Sequence, residues 1–178
     1  MPEQRFTSLS IKELMKVRPK IEDVIPEILD KDMRETALEF SAWLRASKMA
    51  PGYAGVQYTW NASYKGKIIY RIQLKNDGWG NVKNRDHYWV VNPHLNHLDK
   101  YQDVITDEGL ADFIYENLSY CIKCSPKCPG GTDITVLGRD FANVCHCRPL
   151  VWAYDPDESA ITCIIRLLEL EKAARLEM

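Results

Sequence analysis

The sequence predicts an α+β fold from three observations: apolar residues at helical spacing toward both ends, period-two alternation in the middle, and consecutive strands with no helix between them. The order expected is N-terminal helices, an antiparallel aromatic-rich sheet, a cysteine-rich loop and a C-terminal helix. With 178 residues and no linker-like stretch, the chain is read as one domain, 1–178, with an N-terminal helical segment at 1–48.

Ser10 and Glu13 form a capping-box pair, which predicts a short helix over 10–17 that Pro19 ends. Met33, Ala37, Phe40 and Leu44 recur at helical spacing, with Trp43 widening the stripe, so a second helix is expected over 32–47. Met49-Ala50-Pro51-Gly52 then breaks the helical period. Val56, Tyr58, Trp60, Ala62 and Tyr64 alternate on one face of a strand, and Ile68, Tyr70, Ile72 and Leu74 do so after the turn Lys65-Gly66-Lys67. The pair reads as an antiparallel hairpin. A third strand is expected over 87–91, before Asn92-Pro93.

Thr106 and Asp107 read as a cap for a helix over 106–118 with Leu110, Phe113, Ile114 and Leu118 on its apolar side. Ile134, Val136 and Leu137 mark a short strand, and 150–154 another. Asp155-Pro156-Asp157 opens a last helix carrying Ile161, Ile164, Ile165, Leu168 and Leu170.

A balance of 23 basic and 25 acidic residues, net charge −2, provides no electrostatic drive toward nucleic acid or an anionic membrane. The first residues lack the basic and apolar regions of a secretory signal, and no run is long enough to span a bilayer. A cytoplasmic location is therefore expected. Thiols are held reduced there, so clustered cysteines read as metal ligands or a redox centre before they read as disulfides.

Five of the six cysteines, Cys121, Cys124, Cys128, Cys145 and Cys147, fall within 121–147. Cys121 and Cys124 form a C-x2-C pair, and Cys128 follows across a turn containing Pro126, Pro129, Gly130 and Gly131. With Cys145 or Cys147 as the fourth ligand, the set fits tetrahedral zinc, and Lys123 and Lys127 partly offset its negative charge. The alternative is an iron-sulfur cluster: Cys121, Cys124, Cys128 and Pro129 match the end of a ferredoxin run, although Leu118 stands where its leading cysteine belongs. Thiol redox chemistry is a third reading, disfavoured because Cys121 follows a predicted helix instead of opening one. Cys163 falls on the apolar side of the last helix and reads as core.

His94 and His97 could present two imidazoles from one loop, but no carboxylate spacing supports a metal site there, and His146 could replace a neighbouring cysteine as ligand. Tyr58, Trp60, Tyr70, Trp79 and Trp89 concentrate in the sheet region. They read either as core or as a face that binds a flat small molecule.

The pattern resembles a group of small uncharacterised cysteine-knuckle proteins of anaerobic Gram-positive bacteria. The likeness is carried by the strand pair with Trp60 and Tyr64-Lys65-Gly66-Lys67, the knuckle from Cys121 to Gly131, Leu137-Gly138-Arg139-Asp140-Phe141 leading to Cys145, and the helix after Asp155-Pro156. It implies that Cys121, Cys124, Cys128 and Cys145 form one site, with Cys147 as an extra. The order of hairpin and helix is also similar, in topology, to gyrase-inhibitor-like small-molecule-binding domains. This second likeness implies an aromatic-lined cleft, which in those domains often holds a buried glutamate that the predicted strands here do not contain.

Overall fold

The computed structural model describes residues 5–74, 87–123 and 125–177 and is an α+β fold. Helix α1 (Ile11–Val17) begins at the Ser10 capping box, where the Ser10 N–H donates to Glu13 Oε2 at 2.9 Å. A helix absent from the sequence expectation, α2 (Ile21–Ile28), follows directly. Pro19 does end α1, but Ile21, Val24 and Ile25 form a buried stripe that restarts the helical period in spite of Pro26. Helix α3 (Lys31–Ala46) lies within one residue of its predicted bounds and packs on α2, where Arg45 and Ser41 donate to the Glu22 carboxylate.

The sheet is an antiparallel meander of β1 (Gly52–Tyr53), β2 (Thr59–Tyr64), β3 (Lys67–Leu74) and β4 (Trp89–Pro93), with β7 (Ala153–Tyr154) added beside β4. Strand β2 starts three residues later than predicted because Gly55 and Gln57 take positive φ, which leaves Val56 exposed. Lys65 and Gly66 both have positive φ and make the two-residue turn that matches strand twist. Trp60 opposes Ile72, which opposes Val91, and Ala62 opposes Tyr70, so these side chains share the inner face.

That face is the floor of the main core. Trp60, Tyr70 and Trp89 are 0, 0 and 1% exposed, packed with Leu14, Ile25, Phe40, Leu44 and Ile164 from the helices, and Tyr58 is partly buried against the same cluster. Of the two readings, Trp60, Tyr70 and Trp89 are therefore core, and helices cover the face that the alternative gave to a flat ligand. Trp79 lies outside the described residues.

The helix predicted over 106–118 is two helices, α4 (Gln102–Asp107) and α5 (Ala111–Glu116). Gly109 adopts a φ of +70°, its N–H donates to Thr106 O, and the Leu110 N–H donates to Ile105 O, the two bonds of a glycine-terminated helix end. Thr106 and Asp107 therefore close a helix instead of opening one. Ile105, Ile114, Leu118 and Val151 form a second core with Leu167 of α6 (Glu158–Leu176), whose N-cap Asp157 accepts from Ala160 N–H. A separate ribbon pairs β5 (Thr132–Val136) with β6 (Arg139–Val144). Among the described residues, no helix is long and apolar enough to cross a membrane.

Helix α6 carries a buried ion pair that joins both cores to the sheet. Glu171 is 0% and Arg175 1% exposed, with Arg175 Nε 2.8 Å from Glu171 Oε1. Tyr101 Oη and the His97 N–H donate to Glu171 Oε2, while His97 Nδ1 lies 2.8 Å from Oε1. Arg175 also donates to the carbonyls of Tyr64, Lys67, Ile68 and His94, tying the helix to the β2–β3 turn and to the end of β4.

Replacing Glu171 by Ala leaves a buried guanidinium uncompensated and is expected to cost about 3–5 kcal/mol in urea denaturation at neutral pH. Glu171→Met combined with Arg175→Leu should recover part of that loss. Burial pushes the Glu171 carboxyl up, but hydrogen bonds from Arg175, Tyr101 and His97 outweigh it and hold the group below the ordinary range. Burial likewise raises Glu22, and Arg45 and Ser41 more than offset this, taking it down to about 2. Both carboxylates therefore contribute their full stability above the unfolded-state value near 4.5 and lose it as pH falls below that. Denaturation midpoints measured from pH 6 to pH 2, roughly spanning that window, should fall steadily below about pH 4.5 and do so less in Glu22→Gln.

Candidate metal centre

The knuckle hangs from the segment that follows α5. Residues 118–121 run extended between two stretches of chain: Ser119 N–H donates to Leu150 O and Trp152 N–H to Asn117 O on one side. On the other, Cys145 N–H donates to Ser119 O at 2.7 Å and Cys121 N–H to Asn143 O at 2.8 Å. Tyr120 opposes Val144 in this antiparallel pairing, so Cys121 and Cys145 are diagonal neighbours on one face. The β5–β6 ribbon makes that approach possible. Its turn, Leu137 and Gly138 with φ of 48° and 77°, returns the chain to the start of the cysteine loop.

Within the loop, Lys123 takes a φ of 51°, and its N–H donates to the Cys121 sulfur. Cys128 N–H donates to Ser125 O at 3.0 Å, a turn that brings Cys128 Sγ to 3.6 Å from Cys121 Sγ. The Lys123 N–H lowers the Cys121 pKa, but burial and the sulfurs of Cys128 and Cys145 outweigh it, and the thiol titrates above its ordinary value. Two sulfurs near a third thiol in this way disfavour its charged form unless a cation is present.

Gly131 locks the loop to β6. A Cβ at this position would lie 2.5 Å from the Asn143 carbonyl carbon and 2.6 Å from its oxygen, so only glycine allows the approach. Asn143, itself at a φ of 58°, donates from Nδ2 to Cys121 O and from its backbone N–H to Asp133 Oδ1. Strand β6 and this asparagine were not foreseen in the sequence. The combination of Gly130-Gly131 with an asparagine two residues before Cys145 was the signal available for them.

Of the five clustered cysteines, the structure pairs Cys121 with Cys128 and sets Cys145, 6% exposed, on the Cys121 face. Cys147 is exposed, Cys163 is half-buried against the second core on α6, and Cys124 lies outside the described residues. Among the described residues, no three His, Cys, Asp or Glu side chains meet at one point. His94 and His97 do not act together: His97 is held by Glu171, and burial together with the Arg71 and Arg175 charges takes His94 down to about 4. His146 is exposed beside Cys145 and lines a shallow groove with Arg148 and Leu150.

Beside the knuckle lies a cavity of about 250 Å³ lined by Tyr120, Ile122, Arg148, Trp152 and Tyr154 among others. The Arg148 guanidinium sits 4.8 Å from the Trp152 ring centroid. These aromatics, not Trp60, Tyr70 or Trp89, border open space. Compared with family models, curated proteins and solved structures, the chain matches none.

Gly131→Ala should force the knuckle away from Asn143 and cost about 1–3 kcal/mol, read as a lower thermal midpoint. Cys121 should also alkylate faster in this variant than in the parent. Unchanged stability and unchanged alkylation would mean that the Gly131–Asn143 contact does not hold the loop.

Proposed function

We propose that this chain is a metal-binding domain in which one zinc ion, held by Cys121, Cys124, Cys128 and Cys145, staples the loop after α5 to the end of β6. The separation of Cys121 Sγ and Cys128 Sγ, 3.6 Å, carries this reading. Zinc with bonds of about 2.3 Å to four sulfurs has tetrahedral edges of about 3.8 Å, so the pair already spans one edge. A four-iron cluster gives each cysteine its own iron and holds thiolates farther apart, so the contact favours a single metal ion over the four-iron cluster that the ferredoxin-like run suggests.

The surroundings support the same reading. An N–H donated to a ligand sulfur, as from Lys123, delocalises thiolate charge, and Lys123 and Lys127 add two cations to a centre whose four thiolates exceed the zinc charge. A closed set of four thiolates leaves no open coordination position, so the role is structural. A reducing cytoplasm would keep these thiols available, and on this reading the chain groups with the small cysteine-knuckle proteins it resembles.

Protein purified anaerobically without added metal should contain one zinc per chain by mass spectrometry of the metal. Cys121→Ser and Cys145→Ser should each weaken zinc binding roughly tenfold or more and lower the thermal midpoint, whereas Cys163→Ser should retain the metal. Cobalt substitution should give the visible bands of a tetrahedral thiolate site. Stoichiometric iron with a visible absorption that reductant bleaches would replace zinc with a cluster, and protein carrying neither metal would end the proposal.

A further inference from the structure

The outer face of the sheet, opposite the aromatic core, carries a row of buried polar groups with nothing to bind. Arg71 of β3 stands directly between Asn61 of β2 and Asn92 of β4, and Gln73 stands between Thr59 and Val90 in the next row. Residues two apart on a strand share a face, so Arg71 and Gln73 lie together, as do Val90 and Asn92. His94, the next residue of that alternation, is close enough for the Arg71 charge to act on it. Asn92 is 0% and Gln73 4% exposed.

Five atoms of this row are unsatisfied: Asn92 Oδ1 and Nδ2, Gln73 Oε1, Arg71 Nε and His94 Nε2 are buried and have no hydrogen-bond partner among the described residues. An isolated orphan of this kind is uncommon in a native fold, and a contiguous set is rarer still. The strand residues of this face, Thr59, Asn61, Arg71, Gln73, Val90, Asn92 and Tyr154, include one cation and no carboxylate. Arg71 and Asn61 are only half-buried, which leaves the row open to solvent on one side.

From this arrangement we infer that the outer sheet face binds a small molecule bearing an oxyanion, with Arg71 and the Asn92 amide as its donors and His94 Nε2 beside them. The orphan oxygens of Gln73 and Asn92 require a donor in return, which a hydroxyl or amino group next to the oxyanion supplies. A hydroxy- or amino-carboxylate and a phosphate ester of a polyol both meet this description. The charge-assisted bonds from a guanidinium are the strongest in the set, so Arg71 contributes most of the affinity. This site is independent of the cysteine centre.

Isothermal titration of the metal-replete protein with acetate, lactate, glycine and inorganic phosphate, each against chloride at equal ionic strength, tests the inference. Saturable binding is expected, with lactate or glycine exceeding acetate if the source is a carboxylate and phosphate leading if it is a phosphate. Arg71→Gln should weaken the best of these by about tenfold or more. Asn92→Leu removes two orphan atoms, so it should raise the melting temperature of the ligand-free protein while weakening binding. A purely structural asparagine would do the reverse, losing stability and leaving affinity unchanged, and that result would overturn the inference. Absence of saturable binding by all four probes would overturn it too.

Discussion

The Glu171–Arg175 pair is the constraint on which the rest of the structure depends, because it is fully satisfied and its partners come from two distant stretches of chain, the β2–β3 turn and residues 94–101. The guanidinium has five N–H donors, and they go to Glu171, Tyr64, Lys67, Ile68 and His94. The carboxylate accepts from Arg175, Tyr101 and both the backbone and the ring of His97. Helix α6 cannot rotate or slide by one residue without stranding a buried charge. The same helix presents Ile161, Ile164 and Leu168 to the main core and Leu167 and Ala174 to the second, so fixing its rotation fixes how the two cores meet.

Against that standard the outer sheet face stands out. A fold that uses every donor and acceptor of one buried pair leaves the Asn92 amide, two residues before the His94 carbonyl that serves Arg175, with no partner. Low polarity strengthens a complete network and penalises an incomplete one, so the two arrangements have opposite consequences for stability. The complete one specifies the fold. The incomplete one weakens it, and such a weakness is retained where a ligand completes the set.

The sequence makes legible those elements whose period is expressed in apolar residues. Helix α3, the β2–β3 hairpin and α6 emerge from Ala37-Phe40-Leu44, Trp60-Ala62 and Ile161-Ile164-Leu168 because packing and pattern coincide there. Helix α2 is concealed by its own Pro26, and the break between α4 and α5 by an apolar stripe that continues across Gly109. Alternation places Trp60, Tyr70 and Trp89 on one face but does not tell which face the helices cover. Glu171 and Arg175 read as an ordinary exposed pair at i,i+4 spacing, since nothing local marks them as buried. In the candidate site, the spacing from Cys121 to Cys128 is legible locally. The position of Cys145 depends on the register of Tyr120 against Val144, which no local pattern reveals.

The β5–β6 ribbon is the part of the fold where the proposed metal staple would matter most. Of its strand residues only Val136 and Val144 are buried, and a two-stranded ribbon with so little apolar cover is marginal by itself. Packing helps at one end, where Tyr115 and Phe141 approach to 5.2 Å between centroids with Arg139 over both rings. The other end is where Gly131 touches Asn143, where Cys121 and Cys128 pair, and where Cys145 lies on the Cys121 face. A metal bound there would close the loop from Cys121 to Cys145 and hold the ribbon against the extended segment 118–121. Charge would act in the same direction: burial and the sulfurs of Cys128 and Cys145 raise the Cys121 pKa, and a divalent cation bound there would turn that repulsion into attraction for a common centre. On the proposed reading, a metal cross-link would enter the fold where the ribbon has little hydrophobic burial of its own.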